Sequence, residues 1–554
     1  MPQETNNIFT SLYRSFNGLN RKTLSVVVLI LFCLLTVLGL IIHEPTFDET
    51  KAWLIARDAP VKDLFFLIPH YEGHPPFWHL LLAVPAKAGI PFEAGLKSVQ
   101  FISSMLLISV FLFLTPFNNT VRTVIPFTYF FLVRYNIYSR PYALLCASML
   151  LASYFYGRRR EKPLQFILIL ALICLWSLYG IAIAGGFALA WIIEIMTGLV
   201  KEKKSAAAFF LEDKKRTAGF ILLLLFACFL LFLMNPYKDN FIFENNALPP
   251  ETYIYRFVLF ILSAPSECMF TSFFGDEFFY SQQPTLAGLA VCYTVSSVFY
   301  FLLIARTSDK KKLLWFFLPY VLYSVISTVY TSTHHFGIII FLLLFYFAVT
   351  GGADKKEKRG RGQLAVKAVS AAAAVIFVFT GLYWSLSSFL TESLFKTSFG
   401  GELSSWIVSC GIDSSDIHSA WHIDGAKEGS VKGIYPAYGT EIFIPAAPYF
   451  KGNIMSNSLR EETFTVGGGY SEEEINAAAD RLKGMDPPEF IFSSSSSNAE
   501  DYISYAGFGS EYVPVYKVNE SLIFKNEVTH YLGGIICCRR DLLDKYGLEE
   551  IPYM

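Results

Sequence analysis

The segment Leu24–Ile42, LSVVVLILFCLLTVLGLII, decides the fold, because it carries no charge from end to end. As a helix it covers about 28 Å, close to the roughly 30 Å hydrocarbon core of a bilayer. A secretory leader would have a shorter apolar stretch followed by a small-residue cleavage site. Here the run is too long and no such site follows. It reads as a first transmembrane helix, and Arg14, Arg21 and Lys22 ahead of it keep the N-terminus in the cytoplasm.

The rest of the 554 residues agrees with that reading. Hydrophobic residues make up 53% and charged residues 16%, against roughly 25% charged in soluble domains. The mean hydropathy is +0.43. Disorder is excluded for most of the chain. Lys plus Arg (45) nearly balances Asp plus Glu (46), and no basic face stands out, so a nucleic-acid partner is not expected. No CxxC occurs among the nine Cys, and no internal repeat is evident.

Further apolar segments lie near 76–90, 97–116, 121–138, 141–156, 164–180, 182–199, 217–235, 285–305, 313–331, 336–350 and 365–387. Basic clusters at 157–162, 201–216, 306–312 and 354–362 are placed in the cytoplasm by the positive-inside rule. The linker 236–250, with one Lys, then faces outward. Five apolar segments separate an inside N-terminus from the inside cluster at 157–162, so one of them, 76–90 or 121–138, fails to cross. Residues 251–275 are interrupted by Arg256 and Glu267. The expectation is an α-helical polytopic membrane protein with about 11–13 transmembrane helices. Residues 1–388 form the membrane domain, with a first outer loop at 43–75. Residues 389–554 are richer in Ser, Gly, Asp and Glu and read as a soluble extracytoplasmic α/β domain. There Ser471 and Glu474 make a capping box for a helix over 471–485, and 489–495 and 510–518 read as strands. A disulfide from Cys410 to Cys537 or Cys538 and free thiols are both open.

The chemistry concentrates in the loop 43–75, which holds Glu44, Asp48, Glu49, Asp58, Asp63 and Glu72. Four of the nine His (His43, His70, His74, His79) lie in or just after it. Such a density of polar groups beside a span suggests a site at the outer interface. Thr46 to Glu49 is a capping box, which gives Glu49 a structural use. Asp48 falls in the first turn, where the helix dipole favours the anion; it either complements that dipole or accepts a proton from a hydroxyl. His74 precedes two prolines at a helix start and serves as a cap or a phosphate contact. Glu72, His70 and His74 are alternatively ligands for a divalent metal. Arg140 in Ser139-Arg-Pro-Tyr142 suits a lipid-linked phosphate or snorkels to the interface. His334 and His335 contact phosphate, metal or headgroups, and Asp276 and Glu277 read as solvated.

These motifs carry a resemblance. The first span followed by PTFDETKAWLIARD (45–58), EGHPPFWHLLL (72–82) and SRPYALL (139–145) resembles the GT-C superfamily of polyprenyl-phosphate-sugar glycosyltransferases, in the branch of protein O-mannosyltransferases and lipid A aminoarabinose transferases. The matching elements are the acidic pair Asp48 and Glu49, His74 to Pro76, and Arg140 with Tyr142. The resemblance implies an inverting transfer of a sugar from an undecaprenyl- or dolichyl-phosphate carrier to a cell-envelope acceptor (lipid, glycan or protein) on the outer face, with membrane lipids as surroundings. Asp48 would be the general base with Glu49 beside it. His74, Arg140, Tyr142, His335 and Glu72 would meet the lipid phosphate. No cofactor is implied with certainty, and a divalent metal remains an option. The implied setting is a bacterial plasma membrane. Residues 389–554 match no element of the family, so their role is unassigned. The rival reading is a transporter or lipid flippase, which would carry ionisable residues mid-span and broken helices in both halves.

Overall fold

The structure, a computed structural model, describes residues 11, 14–205, 207–237, 248–351, 361–424, 431, 433–435, 443–452, 454, 456–457 and 471–552. Most of the linker 236–250 and of the basic cluster 354–362 lies outside the described residues. The first helix, α1 (Arg21–Ile42), starts where the Asn20 side chain accepts from the N–H groups of Lys22 and Thr23. Ser25, Val28, Phe32, Thr36 and Leu40 form its buried stripe. Val27, Leu31, Leu34 and Leu38 stay exposed on the other side. A helix that is apolar all round needs apolar surroundings on both faces.

After α1 come two short helices, α2 (Phe47–Asp58) and α3 (Phe77–Lys87), then α4 (Phe92–Ser109), α5 (Tyr142–Tyr156), α6 (Pro163–Cys174), α7 (Leu178–Lys201), α8 (Lys214–Leu233), α9 (Pro250–Met269), α10 (Leu286–Arg306), α11 (Leu314–Ser327), α12 (Ile338–Thr350) and α13 (Arg361–Leu394). Among the described residues, seven helical segments are long and apolar enough to cross a membrane: α1, Phe92–Leu114, α7, α8, α10, Thr333–Thr350 and Gln363–Leu394. Of these, Thr333–Thr350 is 72% buried and Gln363–Leu394 only 6%, so α12 is the centre of the bundle and α13 its rim.

Seven is fewer than the 11–13 expected from apolar runs. Segment 76–90 yields only α3, and α5, α6 and α11 are also short. Segment 121–138 breaks into a single turn (Asn119–Val124), a 3-10 turn (Ile125–Phe127) and a π turn (Phe130–Arg134). Pro126 contributes to the break, having no N–H and a fixed φ. The Ile137 side chain packs directly on α1: a Cβ on Gly39 would lie 2.3 Å from its Cδ1.

α5 joins the two ends of the bundle. It begins beside Arg140 and ends at Tyr156, whose ring meets Trp315 at 4.7 Å. Arg159 pairs there with Glu194 of α7 at 2.7 Å. The basic clusters 157–162, 201–216 and 306–312 share this end. The loop 43–75, Arg140 and the C-terminal residues share the other.

α13 continues past 388 to Leu394. Then α14 (Gly400–Ser409) leads into β1 (Ile417–Ser419), β2 (His422–Asp424), β3 (Gly433–Tyr435), α15 (Glu472–Lys483), β4 (Phe490–Ser493), α16 (Ser496–Ala506), β5 (Tyr512–Phe524) and β6 (Glu527–Arg539). The main sheet has the order β1-β4-β6-β5, with β1 parallel to β4 and the other pairs antiparallel. Both faces are covered, so successive side chains serve opposite cores. Phe490, Phe492, Ile536 and Cys538 pack with Leu403 and Ile407 of α14. Ile491, Ile535 and Cys537 pack with Leu482 of α15 and Tyr502 of α16. The adjacent Cys537 and Cys538 therefore point apart, and all nine thiols are free.

Only the end of β6 pairs with β4; the rest of β5–β6 is a two-stranded arm reaching the bundle. At its tip, Lys525 takes a positive φ of 58°. Its ammonium is fully buried and donates to the Glu267 and Thr271 carbonyls at 2.7 Å, with the Glu267 carboxylate 3.3 Å away. Trp384 of α13 lies under it at 4.5 Å. Glu267, which interrupted an apolar run in the sequence, is the socket for this arm.

Candidate functional site

The site grows from the start of α2. Thr46 is its N-cap, and both the Thr46 N–H and hydroxyl donate to Glu49 Oε2 at 2.8 Å. The same oxygen lies 2.9 Å from His43 Nε2. The other oxygen, Oε1, accepts from the Ser139 N–H at 2.5 Å. Glu49 is completely buried. Burial works against its charge, yet His43 and the backbone donors hold its pKa down to about 2. Burial likewise opposes charge on His43, but Glu49 and Glu392 raise its pKa to about 10. Glu392, near the end of α13, lies 3.2 Å from His43 Nδ1 and accepts from the Tyr138 hydroxyl at 2.9 Å. An imidazolium between two carboxylates thus ties α1, α2, α13 and the 138–140 segment together.

Asp48 is the next residue, and it is half-exposed. Its Oδ2 lies 3.0 Å from Arg140 Nη1. Consecutive acids therefore grip consecutive residues, Glu49 on Ser139 and Asp48 on Arg140. Burial opposes the charge on Arg140, and Asp48 more than restores it. Glu49, expected as a second catalytic carboxylate, has both oxygens bonded within the protein. These bonds fix the start of α2 and Ser139 beside the Asp48–Arg140 pair.

A second layer lies beside Arg140. Lys51, one turn beyond Asp48 on α2, pairs with Glu72 at 2.8 Å. Burial would raise the Glu72 pKa, but Lys51 and His79 bring it down to about 2. Glu72, expected at the lipid phosphate, is paired with Lys51 in the structure. Burial and Arg140 lower the His74 pKa to about 4, and burial lowers that of His79 to about 4. Both rings are neutral at pH 7 and offer one N–H each. Among the described residues, His74 Nδ1, both ring nitrogens of His79 and Trp78 Nε1 are buried without a hydrogen-bond partner, a costly state that a polar ligand would relieve. The Tyr142 hydroxyl also makes no well-formed hydrogen bond, and its ring is buried beside Arg140. Lys51 and His79 were not singled out from sequence. The spacing Asp48–Lys51, which puts both on one helix face, was the available signal for Lys51.

The remaining expectations divide. His335 is buried, and its Nδ1 accepts from the Ser332 N–H at 3.0 Å, with the Tyr179 hydroxyl 3.2 Å away. That nitrogen is spent on its own turn, and the ring packs on Tyr142 with centroids 5.5 Å apart. His70 is drawn elsewhere: its Nδ1 lies 2.6 Å from the Asn235 carbonyl and its ring stacks on Tyr237. The Glu72, His70 and His74 metal set therefore does not assemble. Among the described residues no three His, Cys, Asp or Glu side chains converge on a metal position. Asp276, read as solvated, is almost fully buried between Arg134 Nη2 (2.5 Å) and His334 Nδ1 (2.8 Å). Arg134 also lies over the Tyr138 ring at 4.2 Å.

An apolar groove of about 600 Å³ runs between α3, α4, α5 and α6. Leu81, Val84, Ile102, Leu106, Leu144 and Leu151 line it. Leu144 follows Arg140 by four residues in the chain. Comparison of the chain with family models, with curated proteins and with solved structures gave no match.

Proposed function

We propose that the protein transfers a sugar from a polyprenyl-phosphate carrier to an acceptor hydroxyl or amine at the outer face of a bacterial plasma membrane, with inversion at the anomeric carbon. The observation that carries this reading is the Asp48–Arg140 pair at 3.0 Å, with the buried, unpartnered polar atoms of His74, Trp78, His79 and Tyr142 around it; the apolar groove includes Leu144, four residues on from Arg140. The three described basic clusters lie at the opposite end, and the positive-inside rule supports an outward-facing site. The resemblance of the acidic pair, His74 to Pro76 and Arg140 with Tyr142 to the GT-C superfamily points the same way.

The chain's groups divide the work. The groove takes the isoprenoid tail. Arg140, with the neutral N–H groups of His74 and Trp78 and the hydroxyl of Tyr142, receives the phosphate. A guanidinium has five N–H donors, so it can turn toward phosphate and release an Asp48 oxygen. That oxygen then accepts the acceptor's proton as the new bond forms at the anomeric carbon. The carbon–oxygen bond to the phosphate breaks, and its electron pair stays on the phosphate opposite Arg140. Charge stabilisation of this kind is worth roughly 10²–10³ in rate per donor removed.

The test is transfer of radiolabelled sugar from a panel of polyprenyl-phosphate sugars into cell-envelope material. Wild type should move label, and Asp48→Asn should not. Asp48→Asn should also melt normally, since a half-exposed ion pair is worth about 0–1 kcal/mol. Arg140→Ala should weaken donor binding. Folded wild type that moves no label with any donor overturns the transferase and sends the question to a lipid-scrambling assay.

A further inference from the structure

A larger cavity of about 900 Å³ opens between the start of α2 and the sheet domain. Its near wall includes Phe47, the residue before Asp48 in the first turn of α2. The far wall carries His422 and Asp424 of β2, Tyr435 of β3, Asn498 of α16 and Glu520 of β5. Asn498 is held by its own bonds to the Ala420 carbonyl and the Ser493 hydroxyl. Its Oδ1 lies 3.3 Å from His422 Nδ1. The rings of His422 and Tyr435 are 5.9 Å apart and only 33° from parallel. Among the described residues lining the cavity, two are carboxylates and none is Lys or Arg.

That lining selects by charge and by shape. The two carboxylates oppose a phosphate-bearing polymer. Carboxylates and an amide accept from hydroxyls and amines. Aromatic faces suit the apolar side of a sugar ring. The volume lies near the top of the roughly 300–1,000 Å³ typical of ligand pockets, which leaves room for several rings. We infer that this cavity is the acceptor subsite and that its ligand is a phosphate-free oligosaccharide, neutral or amine-bearing, presented with its reacting hydroxyl or amine toward Asp48. The inference rests on the transferase reading and gives the sheet domain its role.

The test measures binding of three soluble probes to the full chain in detergent by saturation-transfer NMR: N-acetylglucosamine oligomers, glucosamine oligomers and glycerol-phosphate oligomers. At least one of the two sugar probes should bind and the phosphate probe should not. Asp424→Asn combined with Glu520→Gln should weaken that binding about tenfold or more, roughly 1.4 kcal/mol. Tyr435→Ala, at an exposed ring, should weaken it as well, and it stands in if the double variant does not fold. Lys203→Ala, at the opposite end of the bundle, should leave it unchanged. Preference for the phosphate probe, unaltered affinity in the folded variants, or no sugar binding by wild type overturns the inference. The transferase reading fails separately, through polyprenyl-phosphate binding that does not depend on Arg140.

Discussion

At the scale of the residue, Glu49 and Asp48 show how neighbours in sequence acquire different work. Glu49 points into the protein and meets His43, Thr46 and Ser139; Asp48 points out and meets Arg140. The Glu49 pKa lies at about 2, below its ordinary 4.5, so its share of stability is present above 4.5 and goes as pH falls through 2. The His43 pKa lies at about 10, so its share is full below 6.5 and goes as pH rises through 10. The pair therefore acts at full strength between pH 4.5 and 6.5. Glu49→Gln should cost about 3–5 kcal/mol, as when one partner of a buried ion pair is removed. Its deficit in melting temperature should be largest in that window and shrink toward pH 10. A deficit that is flat with pH would mean that packing, not charge, holds the site. The capping role of Glu49 was legible in Thr46-Phe-Asp-Glu49. Its bonds to His43 and Ser139 were not, because nothing in a capping box says what else its two oxygens meet.

At the scale of the element, two contacts join the molecule. The β5–β6 arm plugs Lys525 into Glu267 and Thr271 with both charges fully buried. Lys525→Met should leave Glu267 uncompensated and cost about 3–5 kcal/mol, and adding Glu267→Gln should recover part of that loss. A double-mutant cycle on melting temperature, with limited proteolysis of residues 518–534, reads both effects. Additive losses would show that the two charges do not interact. The second contact is between α7 and α11. A Cβ on Gly186 would lie 2.2 Å from the Pro319 Cα, so the two backbones touch, as small residues allow between membrane helices. Gly186→Ala should destabilise by about 1–3 kcal/mol through overpacking, whereas Gly198→Ala, with open space around it, should not. Equal melting of the two variants would refute the close approach. Strand β5 was expected over 510–518 and runs to Phe524. The extension pairs only with β6, the next strand of the same hairpin, and its tip is held by Glu267 and Thr271, which lie far away in the chain.

At the scale of the molecule, the basic clusters and the sheet domain lie at opposite ends of the bundle. A single cysteine introduced at Ser409 of the sheet domain should react with a membrane-impermeant maleimide in intact cells. One at Lys203 should react only after permeabilisation, and the reverse pattern would invert the proposed orientation. Hydropathy and charge segregation alone determined a helical chain with long apolar segments and a soluble C-terminal α/β part, because burial in an oily medium is written in composition. Capping chemistry alone determined the starts of α2 and α15, because the bonds are local. Which apolar runs form full-length helices was decided by tertiary packing: 121–138 is apolar enough, yet its backbone turns to pass between α1 and α13. Packing also paired Asp48 with Arg140, hid Asp276 between Arg134 and His334, and drew His70 away from His74. Each of these joins residues far apart in the chain. A charge in sequence announces only that it needs a partner, and the fold supplies the distance that decides which one.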